Sequence, residues 1–202
     1  MITTIVFDVG GVLVRNENPI FRRNLEKMYG LSKHRVDELV FDSKAAQEST
    51  IGLVDPQMIW WNIAEKLNLD EQELQKFMDD FWACDQLDQS LHQFLINCRP
   101  KYKTALLTNA WKDARWALAE KYELIEEKTV DQIIISSEEG VAKPDEEIYY
   151  ILKEKMGSEF NEILFIDDFI ENIQAADELG ILTIRYKPGM DLINTIELIL
   201  QN

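Results

Sequence analysis

An apolar run, Ile5-Val6-Phe7, ends on Asp8 and is followed at once by Val9-Gly10-Gly11-Val12-Leu13. This segment constrains the fold most. A β-branched apolar run reads as a buried strand, and the C-terminal edge of an open parallel sheet is where ligand-binding residues gather. The two glycines allow a sharp turn and bring bare backbone close to a small anion such as phosphate. Taken alone, the segment reads equally well as an ordinary turn, because Asp and Gly both end strands.

Three more strand ends of this kind occur along the chain. Thr104-Ala105-Leu106-Leu107 leads into Thr108-Asn109, and Glu162-Ile163-Leu164-Phe165-Ile166 leads into Asp167-Asp168. Between them, Ala142-Lys143-Pro144-Asp145 follows the short run Ile133-Ile134-Ile135. Helical patterns separate these segments. A parallel sheet would bring all their strand ends to one edge and so onto one site.

The side chains are chemically complementary. Asp8 is a potential carboxylate nucleophile of the kind that forms an aspartyl-phosphate. Asp8, Asp167 and Asp168 together concentrate negative charge, which is costly unless a cation sits among them. An oxygen-only donor set of this kind suits Mg²⁺ far better than zinc. Lys143 adds a fixed positive charge, and the Thr108 hydroxyl with nearby amides would hydrogen-bond a phosphoryl group.

In these four segments the chain resembles the haloacid dehalogenase superfamily, and specifically its phosphatase branch with a helical cap of the first class. The segments are Asp8-Val9-Gly10-Gly11-Val12-Leu13, Thr108-Asn109, Lys143-Pro144-Asp145 and Asp167-Asp168-Phe169-Ile170-Glu171-Asn172. Four motifs in order are far more specific than any one. The resemblance implies a nucleophile at Asp8 and phosphate binding by Thr108, Asn109 and Lys143. It also implies Mg²⁺ held by Asp8, the Gly10 carbonyl and Asp168, with Asp167 in support, and a small phosphorylated metabolite as substrate. Gly11, Trp111 and Asn172 are candidate substrate contacts, Trp111 because it follows Thr108-Asn109 on the loop facing the site.

One position departs from the family pattern. Phosphatases of the family usually carry a second aspartate two residues after the nucleophile, where it acts as general acid and base; this chain has Gly10, as do some related sugar-phosphate phosphatases. Loss of such a group slows expulsion of a poor leaving group by ~10²-fold to 10⁴-fold. Substrates such as anomeric sugar phosphates would depend on it least. Asn16 and Glu17 are the nearby candidates for a substitute, though both read more simply as the polar start of the next helix.

The fold expected is a doubly wound α/β parallel sheet with a helical cap insertion. Residues 1–15 and 97–202 form the core, and 16–96 the cap. Residues 15–98 carry only helical signals: Asn18-Pro19 opens a helix that Gly30 closes, and further helices begin at Ser32, Asp55-Pro56 and Asp70. Residues 91–98 read as a helix returning to the core. Helices over 114–122, 146–156, 172–179 and 192–200 then alternate with strands, the last at 182–185. Trp60, Trp61 and Trp82 read as core aromatics, and His34 and His92 as residues without a catalytic role.

The formal charge of −16 excludes nucleic acid and anionic membranes as expected partners, since both demand basic patches. Cys84 and Cys98 lack a metal-ligand or redox spacing and read as buried thiols. With no apolar run of membrane-spanning length and no leader pattern, a cytoplasmic enzyme is expected. Two alternatives remain beside the phosphatase. A metal-independent 2-haloacid dehalogenase would need a halide and carboxylate site that only Arg15, Arg22 and Arg23 suggest. A phospho-ligand-binding or protein-binding relative with impaired catalysis would follow from Gly10. Composition does not indicate the oligomeric state.

Overall fold

A computed structural model of the chain describes residues 1–16 and 18–201. In chain order the elements are β1 (Thr4–Phe7), β2 (Val14–Asn16), α1 (Ile20–Met28), α2 (Arg35–Phe41), α3 (Lys44–Thr50), α4 (Gln57–Leu67), α5 (Glu71–Trp82), β3 (Asp85–Leu87) and α6 (Gln89–Cys98). There follow β4 (Lys103–Thr108), α7 (Ala114–Tyr122), β5 (Gln132–Ile135), α8 (Ser136–Glu139), α9 (Glu146–Met156), β6 (Ile163–Asp167), α10 (Ile170–Glu178), β7 (Leu182–Arg185) and α11 (Leu192–Leu200).

Five strands form one parallel sheet in the order β5-β4-β1-β6-β7. This is the doubly wound α/β architecture expected, with β1 central. Phe7 lies opposite Leu106 on one side and Ile166 on the other. The residues that follow these strands therefore emerge side by side. Alternation along β1 sends Ile5 and Phe7 to the face packed by Leu91 and Leu95 of α6 and Ile196 of α11. Val6 points to the opposite face, against Ile148, Tyr149 and Leu152 of α9. A sheet buried on both faces has no use for polar side chains within its strands, and this confines the chemistry to their ends.

Helices α1 to α5 bury a separate apolar cluster that includes Leu25, Val36, Ile59, Ile63, Phe77 and Phe81. Asp70 caps α5 as its sequence suggests, accepting from the Glu73 amide while the Glu73 carboxylate accepts from the Asp70 amide. The Gly30 turn after α1 has the left-handed backbone that glycine tolerates, with φ 64°.

The all-helical reading of residues 15–98 needs correction. β2 and β3 lie in that stretch and pair antiparallel, with Arg15 opposite Gln86. Each strand has only three residues, Val-Arg-Asn and Asp-Gln-Leu, too short and too polar to show an alternating pattern. Helix α3, capped by Ser43, was also absent from the sequence reading, because its Ala-Ala-Gln-Glu-Ser run lacks an apolar stripe. Cys84 and Cys98 are buried free thiols. Among the described residues no helix is long and apolar enough to cross a membrane.

Candidate active site

Asp8 follows β1, Thr108 closes β4, Lys143 lies on the segment after α8, and Asp167-Asp168 ends β6. The fold brings these strand ends to one edge of the sheet. The Asp8 amide donates to the Ile166 carbonyl at 2.8 Å, which ties the first segment to the fourth.

At the centre, Lys143 Nζ donates to Asp8 Oδ1 at 2.9 Å and to Asp167 Oδ2 at 2.7 Å. The lysine side chain is 1% exposed, so this is a buried ion-pair network with almost no solvent screening. Asp167 is saturated: Asn172 Nδ2 donates to both of its oxygens, at 3.1 and 3.0 Å, and the Phe169 amide donates to Oδ1 at 2.8 Å. The Tyr149 hydroxyl donates to the Asn172 carbonyl and fixes that support from below. Asn109 grips Lys143 through the backbone, its Nδ2 donating to the Lys143 carbonyl at 2.8 Å and its Oδ1 accepting from the Lys143 amide at 2.9 Å.

Asp8, Asp167 and Asp168 each offer a carboxylate oxygen within 4.8 Å of the others. Their surroundings fit a hard cation. Asp168 Oδ1 is buried and finds no hydrogen-bond donor among the described residues. Burial pushes the Asp8 carboxyl well above the usual carboxylate range; Lys143 opposes this, while Asp167 and Asp168 push it further up. Asp168 is raised by burial and by Asp167. Burial depresses Lys143, but the Asp8 and Asp167 charges outweigh it and hold the ammonium above its ordinary value. One lysine cannot neutralise three carboxylates, and a divalent cation among them would relieve the excess.

The two glycines after Asp8 differ. At Gly11, with φ +80°, a Cβ would fall 2.3 Å from Asp168 Oδ2, so only glycine allows the carboxylate to sit there. At Gly10 a Cβ would meet nothing within 4 Å, so a side chain has room beside Asp8.

Other residues named from the sequence have partners outside this cluster. The Trp111 ring packs against Phe41, Trp60 and Trp82 of the helical lobe, with centroids 6.0, 6.2 and 6.2 Å apart. Arg22 is half of a second buried network, bound to Asp37 at 2.6 Å, Asp85 at 2.8 Å and the Phe81 carbonyl at 3.3 Å. Arg15 bridges Asp88 at 2.6 Å and the Val12 carbonyl at 2.8 Å. Glu17 lies outside the described residues, while Asn16 sits in β2.

The sequence reading passed over Ser136. Its Oγ accepts from the Ala110 amide at 3.0 Å and donates to the Thr50 carbonyl at 2.6 Å. The signal was present, since Ser136 directly follows the Ile133-Ile134-Ile135 strand just as Asp8 follows β1.

A parallel sheet with an acid cluster and a buried lysine at one edge is a Rossmann-like core with its ligand site at the carboxyl ends of the strands. The chain belongs to the haloacid dehalogenase-like hydrolases, whose family pattern matches residues 2–180. The chain is 30% identical over 106 residues to the bifunctional epoxide hydrolase 2 of Mus musculus, a match that takes in 50% of this chain; it spans 19% of that relative's length. It is 24% identical over 179 residues to the sesquiterpene phosphatase astK of Aspergillus oryzae, covering 88% of this chain and 86% of the relative. A solved haloacid dehalogenase family enzyme from Bacteroides thetaiotaomicron, BT-2542, in complex with magnesium and inorganic phosphate, superposes with a TM-score of 0.78 at 25% identity, over 95% of this chain and 97% of its own.

Proposed function

We propose that the chain is a Mg²⁺-dependent hydrolase of a small phosphomonoester, acting through an aspartyl-phosphate on Asp8, with helices α1 to α5 as a cap over the site. The observation that carries this reading is the cluster of Asp8, Asp167 and Asp168 around a single buried lysine, with Asp168 Oδ1 left without a donor. A related enzyme holding magnesium and phosphate supports the same choice of ligands.

Asp8 Oδ1 is held by the Val9 amide at 2.7 Å and by Lys143, which leaves Oδ2 for in-line attack on phosphorus. The bond to the leaving oxygen breaks as the new P–O bond forms, and the leaving group takes its proton from solvent because position 10 supplies none. Water then attacks phosphorus, the acyl-phosphate P–O bond breaks, and Asp8 is regenerated with release of inorganic phosphate. Lys143 and the Thr108 hydroxyl stabilise charge on the non-bridging oxygens. Bound Mg²⁺ would supply further charge neutralisation at Asp8, Asp168 and the Gly10 carbonyl.

The dehalogenase reading requires cationic groups free to take a carboxylate and a halide. Of the three arginines that could form such a site, Arg15 is paired with Asp88 and Arg22 with Asp37 and Asp85, so only Arg23 is left to that reading, which favours the phosphatase. The test is phosphate release from a panel of phosphomonoesters, sugar 1-phosphates included, with and without Mg²⁺. Metal-dependent release that disappears in Asp8→Asn supports the proposal. Turnover of 2-haloacids without metal, and of no ester, would replace it with the dehalogenase.

A further inference from the structure

The residues after Thr108 are held at three successive positions by three different partners. Asn109 grips the backbone of Lys143 on both sides. The Ala110 amide is bonded to Ser136 Oγ, and the Trp111 ring is set among Phe41, Trp60 and Trp82 of the helical lobe. Ser136 is 1% exposed and its hydroxyl has one proton. The Thr50 carbonyl at 2.6 Å is a nearer acceptor than the Ala110 carbonyl at 3.3 Å, so the hydroxyl joins the loop to the end of α3. The same seam shows a second close approach. Gly52, with φ +72°, carries its backbone so near that a Cβ would lie 2.4 Å from the Ser137 carbonyl oxygen.

We propose that Ser136 is a positioning residue that couples docking of the α3–α4 turn to the placement of Lys143, through Ala110 and Asn109. The inference rests on the phosphatase reading, since Lys143 is taken as a phosphate ligand. Lifting the turn off the sheet edge removes the Thr50 acceptor and pulls on Ala110 and Trp111. Asn109 carries that displacement to the Lys143 backbone, and so to the ammonium between Asp8 and Asp167. Coupling of this kind is reciprocal: phosphate at the site tightens the seam, and a loosened seam weakens phosphate binding. Neither Ser136 nor Gly52 is assigned to the reacting groups, so a change in phosphate binding in either variant is transmitted through the seam rather than made at the site.

The first test uses the unaltered chain. Amide hydrogen exchange is followed with Mg²⁺, with and without inorganic phosphate as the probe. Slowed exchange at residues 50–53 and 110–112, in addition to 8–12 and 167–170, supports the proposal. Protection confined to the latter two segments overturns it while leaving the phosphatase reading intact; protection nowhere overturns both.

The second test is a double-mutant cycle of Ser136→Ala and Gly52→Ala, read as the inhibition constant of inorganic phosphate and as kcat and KM for an aryl phosphate. Each single change is expected to weaken phosphate binding about 10-fold. The double variant should be little worse than either, because both act by freeing the same turn. A folded Ser136→Ala with unchanged phosphate inhibition, and only a lower Tm, assigns the hydroxyl a purely structural role and overturns the proposal. If a variant does not fold, the exchange measurement decides.

Discussion

Among the described residues, Lys143 and Arg22 are buried among carboxylates, and they differ in how fully those carboxylates are satisfied. In the helical lobe, Arg22 donates from Nε, Nη1 and Nη2 to Phe81, Asp37 and Asp85, and its guanidinium carbon lies 4.1 Å from the centroid of the Phe81 ring. Edges and face are both used. At the sheet edge, Lys143 contacts two carboxylates of a group of three, and Asp168 keeps a buried oxygen with no donor among the described residues. A saturated network stabilises a fold, whereas one with surplus negative charge is prepared for a ligand.

Three substitutions test this contrast. Asp8→Asn should lower phosphate release by about 10⁴-fold or more, because it removes the proposed nucleophile. Thermal stability should hold, since the carboxyl it replaces is strained by burial; an active Asp8→Asn enzyme would break the assignment. Lys143→Met should cost about 10²-fold to 10³-fold in kcat, the usual loss for a group that stabilises transferring charge. It should also lower stability, because two buried carboxylates lose their counter-ion. Arg22→Met should destabilise by about 3 kcal/mol, less than the full cost of a broken buried pair because Asp37 is 36% exposed. Urea unfolding measures this, and kcat on the folded fraction should be unchanged. A selective loss of kcat would move Arg22 into the site.

Gly10→Asp sharpens the comparison from the other direction. The space around Gly10 accepts a Cβ, and its backbone is not left-handed. A carboxylic acid there should raise turnover of alkyl phosphates by about 10²-fold, with a smaller gain for aryl phosphates, whose leaving groups need less help. Equal gains for both classes would show that proton donation does not limit the reaction.

The sheet was legible because its strands are apolar runs buried on both faces, and the strand-end residues stood out against them. Asp8, Thr108, Lys143 and Asp167 were readable one at a time, and the parallel register supplied their convergence. The division of labour between Asp167 and Asp168 was readable only as a direct and a supporting role; that Asp167 is saturated by Lys143, Asn172 and the Phe169 amide depends on atoms five and 24 residues away. Strands β2 and β3 were hidden because polar three-residue strands leave no period. Trp111 illustrates a different limit: its place after Thr108-Asn109 suggests a substrate contact, and nothing local to it reveals that its ring also meets Phe41, Trp60 and Trp82. Ser136 stood at a strand end yet was passed over, because a lone serine carries no chemistry until Thr50 and Ala110 are brought to it.

The smallest expected effect is a slope of stability with pH, and it distinguishes the two networks without any assay of turnover. Burial raises the folded-state value of Asp8, so in metal-free protein that carboxyl keeps a proton at pH values where the unfolded chain has already lost it. Folding then takes up a proton. The contribution of Asp8 is complete below the ordinary carboxylate range and is lost as pH rises towards neutrality. Lys143, also raised, holds its charge throughout that window and adds no slope. Asp131 is lowered, with burial opposed by hydrogen bonds from Thr104 and Arg99, so its contribution is lost only on acidification below the ordinary carboxylate range. Between these limits the Tm of the metal-free protein should fall with rising pH, and Asp8→Asn should flatten the fall. Mg²⁺ should flatten it too, because the metal binds the ionised carboxylates and stabilises the folded chain most where they are charged. Burial also raises Asp85, and Arg22 restrains that shift, so Arg22→Met should lower the curve and steepen it while leaving the Mg²⁺ effect intact. If instead Asp8→Asn kept the slope, the carboxyl responsible would be Asp168 at the sheet edge or Asp85 beside Arg22, both raised by burial, and only a slope that Mg²⁺ flattens would belong to the sheet edge.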